Sequence, residues 1–344
     1  MGTSGLTLTQ LGWKSFFSEQ VSAGERLICQ PVRVLSVHRG RVTVSGEGFE
    51  DSISSSLPTQ GGAEDRPTVG DWLLIDRTTR SLMRILDRTS LFKRPAPGDD
   101  RRTQLIAANV DTLFIVTSCN EDFNVARIER YLVLAREVGV RPVVVLTKAD
   151  LSPTPGRLVD AARALQSGLL VEMVDGRDPT SAARLARHCG PGETVALVGS
   201  SGVGKSTLVN RLTGSDKIAT QAVREDDGKG RHTTTVREMH RLAGGADGGG
   251  WLVDTPGMRE LQMSDVATGV TEVFDDVTAV TLDCRFSNCS HLDEPGCAIQ
   301  AAMTDGNLDP ARVERWRKLA REDAASNRAA TVRRSRPGKA GKRR

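Results

Sequence analysis

The chain has 344 residues, of which 38% are hydrophobic and 26% charged, enough for two or three domains with their own cores. Its 47 Lys and Arg against 43 Asp and Glu leave a net charge of +4, which excludes a polycation that coats nucleic acid by charge alone. No apolar run is long enough to span a bilayer, so a membrane-spanning helical protein is excluded as well.

Met1 to Phe17 lack the basic start and apolar centre of a signal peptide, so a cytoplasmic protein without paired disulfides is expected. Residues 1–25 read as an N-terminal extension. Residues 26–90 are rich in short β patterns, with strands expected at Pro31 to Val37, Arg41 to Val44 and Asp71 to Asp76, separated by glycine-bearing turns. This suits a small β-barrel of the OB-fold type, which commonly binds oligonucleotides. An SH3-like barrel is the other option.

Residues 91–262 alternate strand and helix. Asp111 to Val116 reads as a strand. The helix after it places Val125, Ile128, Leu132, Ala135 and Val138 on one face. Strands are expected at Pro142 to Leu146 and at Leu169 to Val174. Such alternation marks an α/β domain with a mostly parallel sheet. Directly after the second strand comes Thr147-Lys148-Ala149-Asp150, which resembles the base-reading element N-K-x-D. The Asp150 carboxylate can accept together from the ring N–H and the exocyclic amine of guanine, a donor pair that adenine does not offer. Lys148 would lay its aliphatic stem along the base. Thr147 replaces the usual Asn, so a hydroxyl stands where an amide ties this turn to the phosphate loop. That change bears on tightness of binding more than on base identity. Val174-Asp175-Gly176 falls where a second base-contacting turn belongs, without the usual Ser-Ala.

Thr194 to Val198 reads as a buried strand. It enters Gly199-Ser200-Ser201-Gly202-Val203-Gly204-Lys205-Ser206, which fits the phosphate-loop pattern G-x-x-x-x-G-K-[ST] and continues into Thr207. Backbone N–H groups of such a loop cradle phosphate oxygens, Lys205 would reach the β- and γ-phosphates, and the Ser206 hydroxyl would hold Mg²⁺. A helix from Ser206 to Leu212 buries Leu208, Val209 and Leu212, and its N-terminus adds partial positive charge under the phosphates. Gly228 to Thr235 is a glycine-flanked, hydroxyl-rich segment suited to a switch that closes on Mg²⁺ and the γ-phosphate. Thr234 is the first choice of magnesium ligand and Thr233 the second. Asp254-Thr255-Pro256-Gly257 follows the apolar run Trp251 to Val253 and fits D-x-x-G. Its Asp254 supports Mg²⁺ and its Gly257 N–H senses the γ-phosphate.

The order of these elements is unusual. The base reader Asp150 precedes the phosphate loop, whereas it ordinarily comes last. A circular permutation accounts for this, since domain termini often lie close together.

Residues 263–325 read as a mostly helical domain with a metal site. Cys284, Cys289, His291 and Cys297 have the pattern C-x4-C-x-H-x5-C. Three thiolates and one imidazole complete a closed tetrahedral shell, the mark of one structural Zn²⁺. Cys29, Cys119 and Cys189 are dispersed and read as small apolar residues. A helix starts at Asp309-Pro310 with Val313, Trp316, Leu319 and Ala320 on its apolar stripe. Residues 326–344 read as a basic disordered tail. Thr331 to Arg344 hold seven Lys and Arg with no acid, so the rest of the chain is slightly acidic.

Together Ala108-Asn109-Val110-Asp111, Arg127 to Ala135, the phosphate loop, Gly230 to Thr235, Asp254 to Leu261 and the Cys/His pattern resemble the ribosome small-subunit-dependent GTPase A family (RsgA, also called YjeQ). The likeness runs from about residue 26 to 325. It implies an N-terminal OB-fold, a circularly permuted GTPase domain and a C-terminal zinc-bearing helical domain. It further implies a role late in maturation of the small ribosomal subunit, with GTP hydrolysis to GDP stimulated by that subunit, and contact with its rRNA. A monomer that avoids membranes is expected.

Two mechanistic points remain at the level of residues. Met258 follows D-x-x-G where Ras-like enzymes place a water-orienting Gln, so intrinsic hydrolysis should be slow. His232, beside the switch, is the candidate catalytic group, with RNA contact and packing as its other uses. A different class of function, an RNA-binding assembly scaffold with a weak nucleotide site, would rest on Thr147 and the unusual second base turn. A P-loop ATPase is opposed by Asp150.

Overall fold

The computed structural model describes residues 5–57, 62, 64–95, 103–215, 237–243, 249–254 and 266–335. By contact the chain divides into two compact units, one of Met1–Asn124 with Val138–Leu261 and one of Val125–Glu137 with Gln262–Arg344.

The first unit begins with α1 (Ser15–Ser18) and α2 (Ala23–Ile28). Ser22 and Glu25 form a reciprocal capping box at the start of α2, satisfying two helix-end donors at once. The strands that follow are β1 (Cys29–His38), β2 (Arg41–Gly46), β3 (Phe49–Ser54), β4 (Trp72–Asp76) and β5 (Leu82–Ile85). They pair antiparallel in the order β3-β2-β1-β4-β5. Alternate residues Val32, Val34, Val42, Val44, Leu73 and Ile75 meet in one core, as the period of two along a strand dictates. A hairpin of β6 (Leu91–Pro95) and β7 (Thr103–Ala108) stands as a separate two-stranded sheet.

The α/β part has β8 (Thr112–Ser118), β9 (Arg141–Thr147), α4 (Pro155–Arg163), β10 (Leu170–Met173), α5 (Pro179–Ala186), β11 (Thr194–Val198), α6 (Lys205–Thr213), β12 (Arg237–Arg241) and β13 (Trp251–Asp254). Its spatial order is β10-β9-β8-β11-β13-β12. The first five strands run parallel and β12 runs antiparallel to β13. β8, β9 and β11 are buried along nearly their whole length, which is why they read as continuous apolar runs rather than alternating ones. The parallel sheet is therefore the expected one. The sheet does not end at β12: Ser36 and Val37 of β1 pair with Glu238 and Arg237, so among the described residues the small β-domain and the α/β domain share one sheet.

Arg33 fastens this junction. Its side chain is 1% exposed and donates to the Leu11 carbonyl and, at 2.6 Å, to Thr194 Oγ1 at the start of β11. Burial pulls its pKa down to about 10, so it stays charged at neutral pH. Residues of the N-terminal extension fill the space around it. Leu11 and Phe17 are buried, Trp13 meets Trp72 edge-on at 4.8 Å, and Trp251 Nε1 donates to the Gln10 carbonyl at 2.9 Å.

The second unit contains α3 (Val125–Glu137), which links β8 to β9 in the chain, with α7 (Ala267–Val273), α8 (Asp275–Thr281), α9 (Ala298–Thr304) and α10 (Pro310–Ser335). The α3 segment, expected within the α/β domain, groups with the C-terminal residues, and two contacts account for this. A Cβ on Gly269 of α7 would lie 2.2 Å from the Val133 carbonyl of α3, so only glycine allows this approach. The Glu129 carboxylate of α3 is fully buried and accepts from Arg312 at 3.2 Å and Arg315 at 2.6 Å, both of α10. Burial raises the Glu129 pKa, and the two guanidinium groups oppose that rise. Helix α10 runs to Ser335, well into the segment read as a disordered tail. Val313 and Leu319 of its stripe are buried, as the periodicity indicates.

Candidate nucleotide site and metal centre

Parallel pairing places three turns at one edge of the sheet. β9 lies beside β10 with Leu146 opposite Met173, and β11 lies beside β8 with Val198 opposite Ile115. The turns after β9, β10 and β11 therefore emerge together, at the carboxyl ends of the strands where α/β sheets bind ligands.

Gly199 to Gly204 form the turn after β11. Gly199 has φ +141°, and a Cβ there would lie 2.1 Å from the Val116 carbonyl, so glycine is obligatory at this position. Lys205 opens α6 and is mostly buried; its Nζ donates to the Gly199 carbonyl at 2.7 Å and also to that of Ser200. The ammonium group is thus curled over the loop. Ser206 and Thr207 follow in the first turn of α6, while Leu208, Val209 and Leu212 anchor the helix in the core.

The base-reading turn is tied directly to this loop. Thr147 Oγ1 donates to the Val203 carbonyl at 2.6 Å, with the Thr117 carbonyl more distant at 3.3 Å. Lys148, in left-handed backbone geometry, donates from Nζ to the Gly202 carbonyl at 2.6 Å. The hydroxyl of Thr147 thus provides a tie to the phosphate loop without an amide. Asp150 sits in the short 3-10 turn Ala149–Leu151 that follows.

The turn after β10 completes the edge. Gly176 lies against α6, where a Cβ would come 3.3 Å from Thr207 Cγ2. Arg177 Nη2 reaches Asp175 at 2.9 Å and Asp150 at 3.3 Å. Asp175 is held below the usual carboxylate range chiefly by its hydrogen bonds from Arg177. Asp175 and Gly176 are the residues the sequence marks in this turn, whereas Arg177 beside them carries no local pattern. The signal lay in the parallel pairing of β9 and β10, which no local pattern announces.

Asp254 ends β13, next to β11 in the sheet. His232, Thr233, Thr234, Gly257 and Met258 lie outside the described residues. Ser206 lies in the first turn of the helix that follows β11, and Asp254 ends the strand paired with β11.

In the second unit Cys284, Cys289, His291 and Cys297 converge, with one donor atom from each all within 4.8 Å of one another. Cys284 Sγ lies 3.4 Å and Cys297 Sγ 3.9 Å from His291 Nδ1. Edges of roughly 3.5 Å are what bonds of about 2.3 Å to sulfur and 2.0 Å to nitrogen generate in a tetrahedron. Glu294 fixes the loop by accepting from the Ser290 and Leu292 N–H groups. Arg317 donates to the His291 carbonyl, and the Trp316 ring packs 5.5 Å from the imidazole. Burial lowers the His291 pKa, which favours the neutral ring a metal requires. Trp316 thus packs in this unit, as the apolar stripe indicated. Cys29, Cys119 and Cys189 are buried, and burial raises the Cys189 thiol to about 12, as suits inert small apolar residues.

A phosphate loop on β11, a base-reading turn two strands away on β9 and a chain order that visits the base reader first define a circularly permuted P-loop GTPase. The RsgA GTPase family model matches residues 85–264. A small ribosomal subunit biogenesis GTPase RsgA from Mesorhizobium japonicum is 49% identical over 320 residues, covering 92% of this chain and 90% of the relative. One from Methanosarcina acetivorans is 38% identical, covering 92% and 82%. The chain belongs to the RsgA GTPase family. Among solved structures, YjeQ from Thermotoga maritima is similar with a TM-score of 0.59 at 26% identity, covering 85% of this chain and 97% of that one. The fold is also that of YloQ, described as a circularly permuted GTPase, with a TM-score of 0.56 at 23% identity and coverage of 90% and 96%.

Proposed function

We propose that this chain is a GTP-hydrolysing switch in biogenesis of the small ribosomal subunit, acting as a cytoplasmic monomer late in its maturation. The observation that carries the reading is the pair of bonds from Thr147 to Val203 and from Lys148 to Gly202. They hold a guanine-selecting carboxylate and a phosphate cradle in one fixed frame. The names of the relatives supply the small subunit as partner. A non-cycling scaffold is the weaker reading, because Thr147 keeps a bond to the phosphate loop.

In this reading the N–H groups of Gly199, Ser200, Ser201, Gly202, Val203 and Gly204 surround the phosphates. Lys205 leaves the loop carbonyls for the β- and γ-oxygens, and Thr207 N–H closes the cradle at the helix start. Ser206 and Thr234 would hold Mg²⁺, which would supply charge neutralisation at the transferred phosphoryl group. Asp254 supports that ion and Gly257 senses the γ-phosphate. Asp150 accepts from the guanine edge while Lys148 flanks the base. His232 orients the attacking water, since Met258 has no group to do so. Cys284, Cys289, His291 and Cys297 hold one structural zinc. Along the chain the domains follow the boundaries 26–90, 91–262 and 263–325, with α3 grouping with the last of them. The five-strand order with β1 at its centre supports an OB-type barrel suited to rRNA.

The test is steady-state hydrolysis of GTP and ATP with and without purified small subunits. GTP hydrolysis that rises strongly with the subunit, with ATP unaffected, is expected. Subunit binding without any stimulation would favour the scaffold, and equal use of ATP would overturn the role of Asp150.

A further inference from the structure

Asp150, the carboxylate assigned to guanine, faces a second carboxylate across one guanidinium group. Arg177 Nε donates to Asp175 Oδ1 at 3.0 Å and its Nη2 to Asp175 Oδ2 at 2.9 Å. The Arg177 backbone N–H also donates to Asp175 Oδ1 at 2.9 Å. This two-pronged grip fixes a planar fork. The same Nη2 lies 3.3 Å from Asp150 Oδ2. The turn carrying these residues is seated on α6 through Gly176, and the turn carrying Asp150 is bonded to the phosphate loop through Thr147 and Lys148. Each turn is thus held against the phosphate loop or its helix.

We infer that Arg177 is a positioning residue for guanine recognition: it cancels the charge of Asp175 and steadies Asp150 so that the base meets one net negative charge. The inference rests on the proposed role of Asp150. Its logic is electrostatic. Asp175 accepts the Arg177 N–H and so builds the turn, but it puts a like charge beside the base reader. Two carboxylates that reach the same guanidinium nitrogen repel once it is removed, and the repulsion falls on the orientation Asp150 needs to receive two donors from the base. Each carboxylate oxygen has more than one acceptor site, so Arg177 can stay on Asp150 Oδ2 while guanine binds.

The experiment is titration of the full-length protein with a fluorescent GDP analogue at low and high salt, with ADP as competitor. Arg177→Ala should weaken GDP binding about fourfold at low salt, the size expected of one unscreened like-charge contact in water, and the loss should shrink as salt screens it. Adding Asp175→Asn to Arg177→Ala keeps an acceptor for the Arg177-position N–H, removes the repelling charge, and should recover most of the affinity. Arg177→Lys should fall between wild type and Arg177→Ala, because it restores charge without the fork. Unchanged or tighter binding by Arg177→Ala overturns the inference, as does a loss that Asp175→Asn fails to relieve. Asp150→Ala keeps the two levels apart. If it binds GDP as well as wild type, the reading of Asp150 itself is wrong; if it alone loses discrimination against ADP, only the role of Arg177 falls.

Discussion

The Thr147 hydroxyl donates to the Val203 carbonyl at 2.6 Å, joining the base-reading turn to the phosphate loop. Thr147 is nearly inaccessible, so replacing its hydroxyl by a methyl would leave the Val203 carbonyl without this donor. Such a loss costs about 1–3 kcal/mol. Thr147→Val is therefore expected to weaken guanine nucleotide binding by about tenfold, read by fluorescence titration, while Thr147→Ser keeps the donor and stays near wild type. Equal affinity of all three proteins would show that the bond does not set the frame of the site.

Gly199 makes a sharper demand on the same loop. The turn needs a backbone with φ +141° and leaves no room beneath it, since a Cβ would lie 2.1 Å from the Val116 carbonyl. Gly199→Ala must displace either the loop or β8, at a cost of about 1–3 kcal/mol. A lower melting temperature together with loss of measurable GTP binding is expected. Ser201→Ala, on an exposed position of the same loop, should leave the melting temperature within about 1 °C of wild type. A Gly199→Ala protein that melts like wild type would refute the packing argument.

The parts legible in the sequence are those with a local period or a fixed spacing. The strand of Thr194 to Val198 and the helix behind it follow from an apolar run, two glycines and a lysine, and the structure has them within a residue. The Cys/His spacing likewise foretold the convergence of four donors. What escaped was long-range. The β1–β12 pairing joins residues 200 apart in the chain, and both strands would look the same without it. Buried Arg33 reads as one more basic residue in a β pattern until Leu11 and Thr194 are brought to it. Arg177 reads as a surface charge until Asp150 arrives from another strand.

Acid should loosen the N-terminal part of the first unit through Glu25. This carboxylate accepts from Arg84 at 2.7 Å and from the Ser22 N–H at 2.9 Å. The Arg84 bond first, then the Ser22 bonds, hold its pKa at about 2, against an ordinary 4.5. The native state thus releases this proton more readily than the unfolded chain. The resulting stabilisation is present in full above pH 4.5 and is lost as pH falls through 2. Because the pair is partly open to solvent, its worth is at most about 1 kcal/mol. Glu25→Gln should lower the melting temperature by about 2–3 °C at neutral pH, and the gap should narrow as melts are repeated between pH 4.5 and 2. A gap independent of pH would mean that the capping geometry, rather than the charge, carries the effect.

Removal of metal should act on the second unit and spare nucleotide binding. The Cys284, Cys289, His291 and Cys297 donors lie within 4.8 Å of one another on the loop between α8 and α9, which Glu294, Gln300, Arg317, Trp316 and the bond from the Arg285 N–H to the Gly296 carbonyl also hold. A closed structural zinc site contributes folding free energy directly. Purified protein is expected to carry one zinc per chain, to lose helical circular dichroism and melt at lower temperature with a strong chelator, and to recover both on readdition of zinc. Cobalt in its place should give the intense visible bands of tetrahedral thiolate coordination, and Cys297→Ser should lose stoichiometric metal. GDP affinity should change by less than about twofold in either case, because the phosphate loop and Asp150 belong to the other compact unit. A chelated protein with unaltered dichroism and melting would show that the loop folds on its protein contacts alone.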